Sequence, residues 1–286
     1  MRDAMPHNRQ AAGETAALAA IAELAHADAG LTIGAGKRAM LRARLARRMR
    51  AVGLARYDDY LALLQAPQGR AERQELIAAL TTNVSYFFRE VHHFDLLRDR
   101  ILPPLIERAI QGGRVRLWSA GCAQGQEAYS IAMVLTEAFP DAARHDIRIL
   151  GTDVDAGIVR RAEAGLFPIA ALGEIPAGLH GRHVHIADDH FAVAPALRDL
   201  VRFRHHHLLG AWPMRSRFDV IFCRNVLIYF DLAAQTRLLG RFASALGEGG
   251  WLCLGHSERL SGPATSHFRA AGRTAHCKDS GSGAAR

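Results

Sequence analysis

From residue 114 onward the chain alternates between two hydrophobic periods, and few folds accept that. Arg114 to Trp118 (RVRLW) is a short β-rich run. SAGCAQG follows as a small-residue loop, and Gln126 to Ala138 reads as a helix. Asp146 to Asp153 (DIRILGTD) is a second strand ending in an acid, and Phe218 to Asn225 (FDVIFCRN) is a third. Asp231 can cap a helix that runs to Leu246; GEGG then turns the chain into a further strand, Trp251 to Gly255 (WLCLG). Alternating strands and helices close as a parallel sheet covered on both faces, so the fold class is α/β. Residues 173–204 break the alternation. Their pieces HVHI, HFAVAP and VRFR read as a small inserted antiparallel β-subdomain.

The chain before this region is helical. AALAAIAELA is Ala-rich. Leu41, Leu45, Met49 and Val52 then fall on one face of a second helix. Tyr57 to Leu64 continues as a short helix, Pro67-Gln68-Gly69 breaks it, and Ala71 to Leu80 resumes. The expected organisation is a helical N-terminal domain over 15–88, an α/β domain over 89–276 and flexible tails at 1–14 and 277–286. With 49% hydrophobic and 22% charged residues, global disorder, collagen and coiled coil are excluded. No apolar run approaches the ~18 residues of a membrane span, and the N-terminus shows no apolar signal region. Cys122, Cys223, Cys253 and Cys277 are far apart with no CxxC, which reads as reduced thiols of a cytoplasmic protein.

Charge is concentrated in one place. Residues 31–57 hold Lys37, Arg38, Arg42, Arg44, Arg47, Arg48, Arg50 and Arg56 and no acid, while the whole chain carries +8, so the remainder is neutral. A patch this local implies an acidic partner: a nucleic acid, an anionic membrane or an acidic protein surface. A plain solvated face is the alternative.

The first strand, its small-residue loop and the following helix can aim backbone N–H groups at a ligand. Gly121 and Gly125 permit close approach, but their GxxxG spacing does not specify a pyrophosphate. Asp153, at the end of the second strand, can accept hydrogen bonds from both hydroxyls of a ribose. Glu127 opens the helix and could face a ligand's ammonium, or simply cap; Asp153 could equally just end its strand. His92-His93 and His205-His206-His207 are runs of adjacent residues with no supporting Cys or HExxH pattern, so no metal site is expected.

Five blocks together resemble the chemotaxis-receptor glutamate methyltransferases, the CheR type: ALTTNVSYFFREVHHF (79–94), RLWSAGCAQGQEAYSIAM (116–133), GTDVDAGIVRRAEAGLF (151–167), FDVIFCRNVLIYFD (218–231) and GHSERL (255–260). The resemblance spans about residues 25 to 275 in order, and FFRE with HHF and FCRNVLIYF are its specific parts. It implies a Rossmann-like methyltransferase domain, S-adenosylmethionine as cofactor and receptor glutamates as substrate. The partner implied is the cytoplasmic helical domain of chemotaxis receptors. The cofactor contacts it implies fall on Asn83, Ser85, Arg89, Glu127, Asp153, Arg224 and Asn225, with a further pair at His207 and Leu208. Ser85 stands where Thr is common and keeps the hydroxyl; Gln126 stands for Glu, and His207 for Asn. Gly121 belongs to the same loop. In the implied reaction Arg89 and Tyr229 are the candidate catalytic residues: Arg89 to orient a carboxylate through its planar fork, Tyr229 to hydrogen-bond the attacking carboxylate without neutralising it. Lys37, Arg44, Arg47, Arg48 and Arg50 are the candidate receptor-docking residues, and Phe87 and Phe88 are expected in the core.

Three rivals share parts of this pattern. An RNA or DNA methyltransferase would fit the basic patch, but base-amino methylators carry a D/N-P-P-Y/F motif where this chain reads CRNVLIYF. A non-catalytic receptor-binding module would be expected to lose Asp153, Gly121 or Arg89, and all are present. An NAD oxidoreductase calls for GxGxxG.

Overall fold

A computed structural model describes residues 5–32, 34, 36, 38–81 and 83–279, with side chains from residue 13 onward. Lys37 lies outside the described residues. The chain forms two compact units: residues 1–82 with Tyr229–Asp231, and residues 83–228 with 232–286.

The first unit is helical: α1 (Met5–Ala29), α2 (Arg38–Ala51), α3 (Tyr57–Gln65) and α4 (Arg70–Leu80), with a 3-10 turn at Pro67–Gly69. Residues 5–14, expected to be a loose tail, are already helical. Ala17, Ile21, Ala25 and Ala29 recur every fourth residue and are buried. In α2 the expected face is the buried one: Leu41, Leu45 and Met49 are inside, while Val52 lies past the helix end and is half-buried. Tyr229–Asp231 joins this unit through the N–H of Thr32, which donates to Tyr229 O at 2.8 Å, and through His26, 3.2 Å from Asp231.

The second unit opens with α5 (His92–Leu96), continued by a π-helical turn over Leu97–Ile101 into α6 (Leu102–Ile110). There follow β1 (Val115–Ala120), α7 (Gln126–Ala138), β2 (Ile147–Asp153) and α8 (Ala156–Ala164). Asp155 caps α8, accepting the N–H groups of Gly157 (2.7 Å) and Ile158 (3.0 Å), and Gly165 ends it in the left-handed conformation. Next come β3 (Leu166–Pro168), α9 (His180–His183), β4 (Val184–Ile186), β5 (His190–Val193), α10 (Pro195–Leu200) and β6 (Val201–His205). The chain closes with β7 (Phe218–Cys223), α11 (Leu232–Ala245), β8 (Leu246–Leu254), β9 (Phe268–Gly272) and β10 (Ala275–Lys278).

The main sheet has the order β6-β2-β1-β7-β8-β10-β9, parallel from β6 to β8 and antiparallel beyond. Consecutive residues Val220, Ile221, Phe222 and Cys223 of β7 are all buried, so both faces of the sheet are covered there. A separate antiparallel sheet, β3-β5-β4, carries Phe167 and Phe191 against Phe87.

The helical unit ends at residue 82, not at the expected 88, so 83–88 belong to the sheet unit. Three further expectations need correction. The insertion does not run over 173–204. Its sheet begins at Leu166 and ends at Val193, and the VRFR segment pairs with β2 as the edge of the main sheet. Gly247–Gly250 does not merely precede a strand. Leu246 already pairs with Phe218, and the register then shifts so that Trp251 meets Val220. Finally, Cys277 and Lys278 are not tail: both lie in β10, and Cys277 is buried opposite Trp251. All four cysteines are free and buried.

Candidate active site

The carboxyl ends of the neighbouring parallel strands β1, β2 and β7, with the start of α7, carry Gly121, Glu127, Asp153, Arg224 and Asn225. Among the described residues no hydrogen bond joins Ser85 or Leu208 to them, and His207 lies beyond the end of β6. Asp153, 7% exposed at the end of β2, accepts the Ala123 N–H through Oδ2 (2.9 Å) and the Asp155 N–H through Oδ1 (3.0 Å). The carboxylate thus holds the glycine-rich loop against β2, and each oxygen keeps a further lone pair for a hydroxyl. Burial raises its pKa, and these two backbone donors oppose the rise. Gly121 has φ +84°, and a Cβ there would stand 2.4 Å from Val226 Cγ2, so only glycine lets the loop pass this closely.

Glu127 and Arg224 form the floor. Arg224, with its side chain 1% exposed, donates from Nη1 to Glu127 Oε2 at 3.0 Å and lies 3.4 Å from Glu90 Oε2. Its Nη2 also donates to the Arg89 carbonyl, and the guanidinium stands over the Phe94 ring. Glu127 takes a second bond from Ser119 Oγ at 2.7 Å. Neither residue is therefore a free arm reaching for a ligand. Arg224 ties the segment carrying Arg89 and Glu90 to the start of α7. One guanidinium between two carboxylates leaves the group one negative charge in excess, and Asp153 adds another. That sign suits a cationic ligand and repels a phosphorylated one.

The segment 83–90 carries the remaining residues. Asn83 Nδ2 donates to Asp155 Oδ2 at 3.1 Å, and Ser85 is half-buried. Phe87 is buried, its N–H held by Glu174 (2.8 Å), and Phe88, half-buried, is held by Ser130 Oγ (3.0 Å). Arg89 lies over the Tyr86 ring and donates to the Val84 carbonyl (3.3 Å). Phe88 and Glu90 both have positive φ, as do Ala123 and Asn225 in the facing loops. Asn225 is held by Glu258, which accepts its N–H at 2.9 Å. His207 is half-buried, and Leu208 is buried with its carbonyl accepting from Trp212 and Arg241.

Several buried polar atoms at this site have no hydrogen-bond partner: Asn225 Oδ1, Gln126 Oε1, Arg224 Nε and Glu90 Oε2. Native proteins leave few such atoms, and a cluster of them marks a place built for something else to bind. Acceptors at Asn225 and Gln126, the Asp153 carboxylate and the net negative charge fit a ligand with hydroxyls, an ammonium and a sulfonium.

Glu90, Asp155 and Glu258 are structural parts of the site that sequence reasoning did not single out, although all three lie inside the quoted blocks. The adjacent His92 and His93 do converge with Glu90, their ligating atoms within 4.8 Å of one another. The Arg224 cation already stands 3.4 Å from that carboxylate, where it opposes a second cation. Burial holds His93 neutral, its pKa down to about 3.

Tyr229 falls in the helical unit. So do the docking candidates, and two of them are committed within it. Arg44 Nη1 donates to the carbonyls of Leu80 (2.6 Å) and Thr81 (3.0 Å), closing the end of α4. Arg48 pairs with Glu72 (2.6 Å) and Glu75 (3.3 Å). Arg47 and Arg50 are exposed, as are Arg38 and Arg42. The basic helix is thus in part an internal scaffold.

Residues 83–277 match the family described as CheR methyltransferase, SAM binding domain, and residues 16–81 match CheR methyltransferase, all-alpha domain. The chain belongs to the CheR methyltransferase family. A protein of Rhizobium etli named "Probable chemotaxis protein methyltransferase" is 41% identical over 88% of this chain and 95% of its own length. "Chemotaxis protein methyltransferase 2" of Pseudomonas aeruginosa is 39% identical over 81% of this chain and 82% of that protein. The Klebsiella aerogenes "Chemotaxis protein methyltransferase" is 37% identical over 84% and 82%. The CheR-type chain is an S-adenosylmethionine-dependent methyltransferase, and the residues at its β-strand ends fit that cofactor. Among the described residues no helix is long and apolar enough to cross a membrane.

Proposed function

We propose that this enzyme methylates glutamate side chains on the cytoplasmic helical domain of chemotaxis receptors, and that it works in the cytoplasm. The observation that carries this reading is the match of both units, helical and α/β, to relatives named chemotaxis protein methyltransferases over more than 80% of each chain.

In this reading Asp153 binds the ribose hydroxyls. Asn83, Ser85, Asn225 and the His207-Leu208 pair complete the cofactor pocket, and Glu127, Arg224 and the Gly121 loop shape it. S-adenosylmethionine, when bound, supplies a methyl group on a sulfonium. A carboxylate could accept that methyl with release of a neutral thioether and with no proton moved, so the chain's residues would need only to hold and orient the two partners. A solvent-exposed glutamate titrates near pH ~4.3 and is ionised at neutral pH, so the acceptor needs no general base. Arg89 orients a carboxylate, and Tyr229 hydrogen-bonds the acceptor. Exposed Arg38, Arg42, Arg47 and Arg50 supply the field that draws in an acidic helix surface.

The test incubates the enzyme, methyl-labelled cofactor and receptor-bearing membranes, then treats the product with base. Ester label is released as methanol, whereas N-methyl label stays. Reversing Arg38, Arg42, Arg47 and Arg50 to Glu should lower receptor methylation at least tenfold at limiting receptor and leave S-adenosylhomocysteine affinity within about twofold, because none of the four is assigned a cofactor contact. Base-stable label, or label on RNA instead of receptor, would sink the assignment.

A further inference from the structure

Glu258 lies in the turn after β8, is 5% exposed, and accepts three backbone N–H groups. Its Oε2 takes those of Asn225 (2.9 Å) and Gly255 (2.7 Å), and its Oε1 takes that of Leu227 (2.7 Å). Strand β7 ends at Cys223, so Asn225 and Leu227 stand beyond the sheet ladder and need acceptors from elsewhere. One side chain supplies both, and the oxygen that takes the Asn225 N–H also takes that of Gly255, the residue after β8.

The clamp holds a turn conformation. Asn225 has φ +60°, a left-handed backbone that Asn tolerates better than most residues with a side chain. Gly255 makes the close approach possible: a Cβ there would stand 2.7 Å from Asn225 N and 2.9 Å from Glu258 Oε2. With its backbone fixed from behind, Asn225 is left with its buried Oδ1 unpartnered.

We propose that Glu258 is a positioning residue for the cofactor site: its carboxylate clamps the backbone of Asn225 and Leu227 to that of Gly255 and so sets the direction of the Asn225 side chain. The inference rests on Asn225 contacting the cofactor. It does not depend on which acceptor is methylated.

The donor pattern demands an acceptor at both oxygens. An amide in the same place must turn its NH2 either toward Leu227 N–H or toward the N–H pair of Asn225 and Gly255. Glu258→Gln keeps size and shape, yet sets donor against donor whichever way it is flipped. Glu258→Asp keeps both acceptors on a shorter arm and restores part of the clamp.

The experiment measures S-adenosylhomocysteine binding by calorimetry on the full chain, with thermal unfolding of each variant alongside. Glu258→Gln should weaken binding at least tenfold at a temperature where it is folded, and Glu258→Asp should fall between it and the wild type. Asn225→Ala should weaken binding too, and the Glu258→Gln/Asn225→Ala double variant should bind no worse than the weaker single variant, because the two changes remove one device. Asp219→Asn is the structural control. It lies at the opposite end of β7, where the carboxylate holds Arg108 and the Arg116 N–H. It should lower the melting temperature and leave affinity within twofold.

Wild-type affinity in Glu258→Gln overturns the proposal. So does additivity in the double variant, or a loss of affinity in Asp219→Asn that tracks its loss of stability. If Glu258→Gln does not fold, Glu258→Asp and its cycle with Asn225→Ala decide the matter in the same way. Loss of receptor methylation with cofactor binding intact would count against the proposed acceptor, not against this clamp.

Discussion

Each unit sets an arginine between carboxylates, half-buried in the helical unit and fully buried in the sheet unit, and the two arrangements differ in how completely they are closed. In the helical unit Arg48 donates to both oxygens of Glu72, at 3.0 and 2.6 Å, and Tyr60 Oη adds a third bond at 2.6 Å. Glu72 is fully engaged by its own fold. In the sheet unit Arg224 sits between Glu127 and Glu90, and Arg224 Nε, Glu90 Oε2 and the neighbouring Asn225 Oδ1 are left without hydrogen-bond partners. A closed cluster stabilises; an open one waits for something. The same residue types make a brace in one place and a binding floor in the other, and only the count of unsatisfied atoms separates them.

The largest expected effect tests that contrast directly. Removing one partner of a buried ion pair costs about 3 to 5 kcal/mol, which applies to Arg224; the one-fifth-exposed Arg48 loses less. Arg224→Ala should therefore abolish measurable S-adenosylhomocysteine binding, and Arg48→Ala should lower the unfolding midpoint while the folded fraction binds normally. If Arg48→Ala removes binding as thoroughly as Arg224→Ala, the brace and the floor are not distinct.

A smaller effect is expected at Asp153. Asp153→Ala also takes the acceptor from the Ala123 and Asp155 N–H groups, so its unfolding midpoint should fall somewhat, and affinity is compared at a temperature where the variant is folded. The loss of charge-assisted bonds to a ligand is worth about 1.5 to 3 kcal/mol, or roughly 10- to 150-fold in S-adenosylhomocysteine affinity. Unchanged affinity by calorimetry removes Asp153 from the ribose role.

The basic helix shows why part of this was legible in the sequence and part was not. Leu41, Leu45 and Met49 declare their buried face by spacing alone, since helical period and burial are local properties. Arg44 and Arg48 look like surface charge because their partners are distant: Leu80 is 36 residues away and Glu72 is 24. The same holds for Glu258, whose donors lie 33 and 31 residues earlier. Strand β10 was hidden for another reason. Ala-His-Cys-Lys is short and runs into a polar Ser/Gly end, so nothing local marks it as sheet; its pairing with Trp251 and Arg269 does. Asp153 and Gly121 could be read because a ligand loop places its special residues at strand ends.

The smallest effect sharpens the comparison through pH. Burial lowers the pKa of His93 to about 3 and that of His206 to about 4, and both lie in the sheet unit. Unfolded, each would titrate near ~6.5. Between these limits the unfolded chain binds more protons, so stability rises with pH in that window and is lost as pH falls below about 6.5. For the fully buried His93 the loss is about 1.4 kcal/mol per pH unit. All three tryptophans, Trp118, Trp212 and Trp251, are in the same unit. Urea unfolding followed by tryptophan fluorescence should therefore show a midpoint that drops from about pH 7 to about pH 5, and His93→Gln should flatten the drop. An equal drop in that variant would place the acid sensitivity elsewhere.

The buried thiols carry a practical consequence. Burial raises the pKa of every cysteine, Cys253 to about 12, so almost none of the sulfur is nucleophilic thiolate at neutral pH. Maleimide and peroxide should find little to attack in the native protein. A cysteine introduced at an exposed position such as Arg47 would then be the one fast-reacting sulfur on the molecule. A dye or spin label could be placed there without first deleting any of the four native thiols.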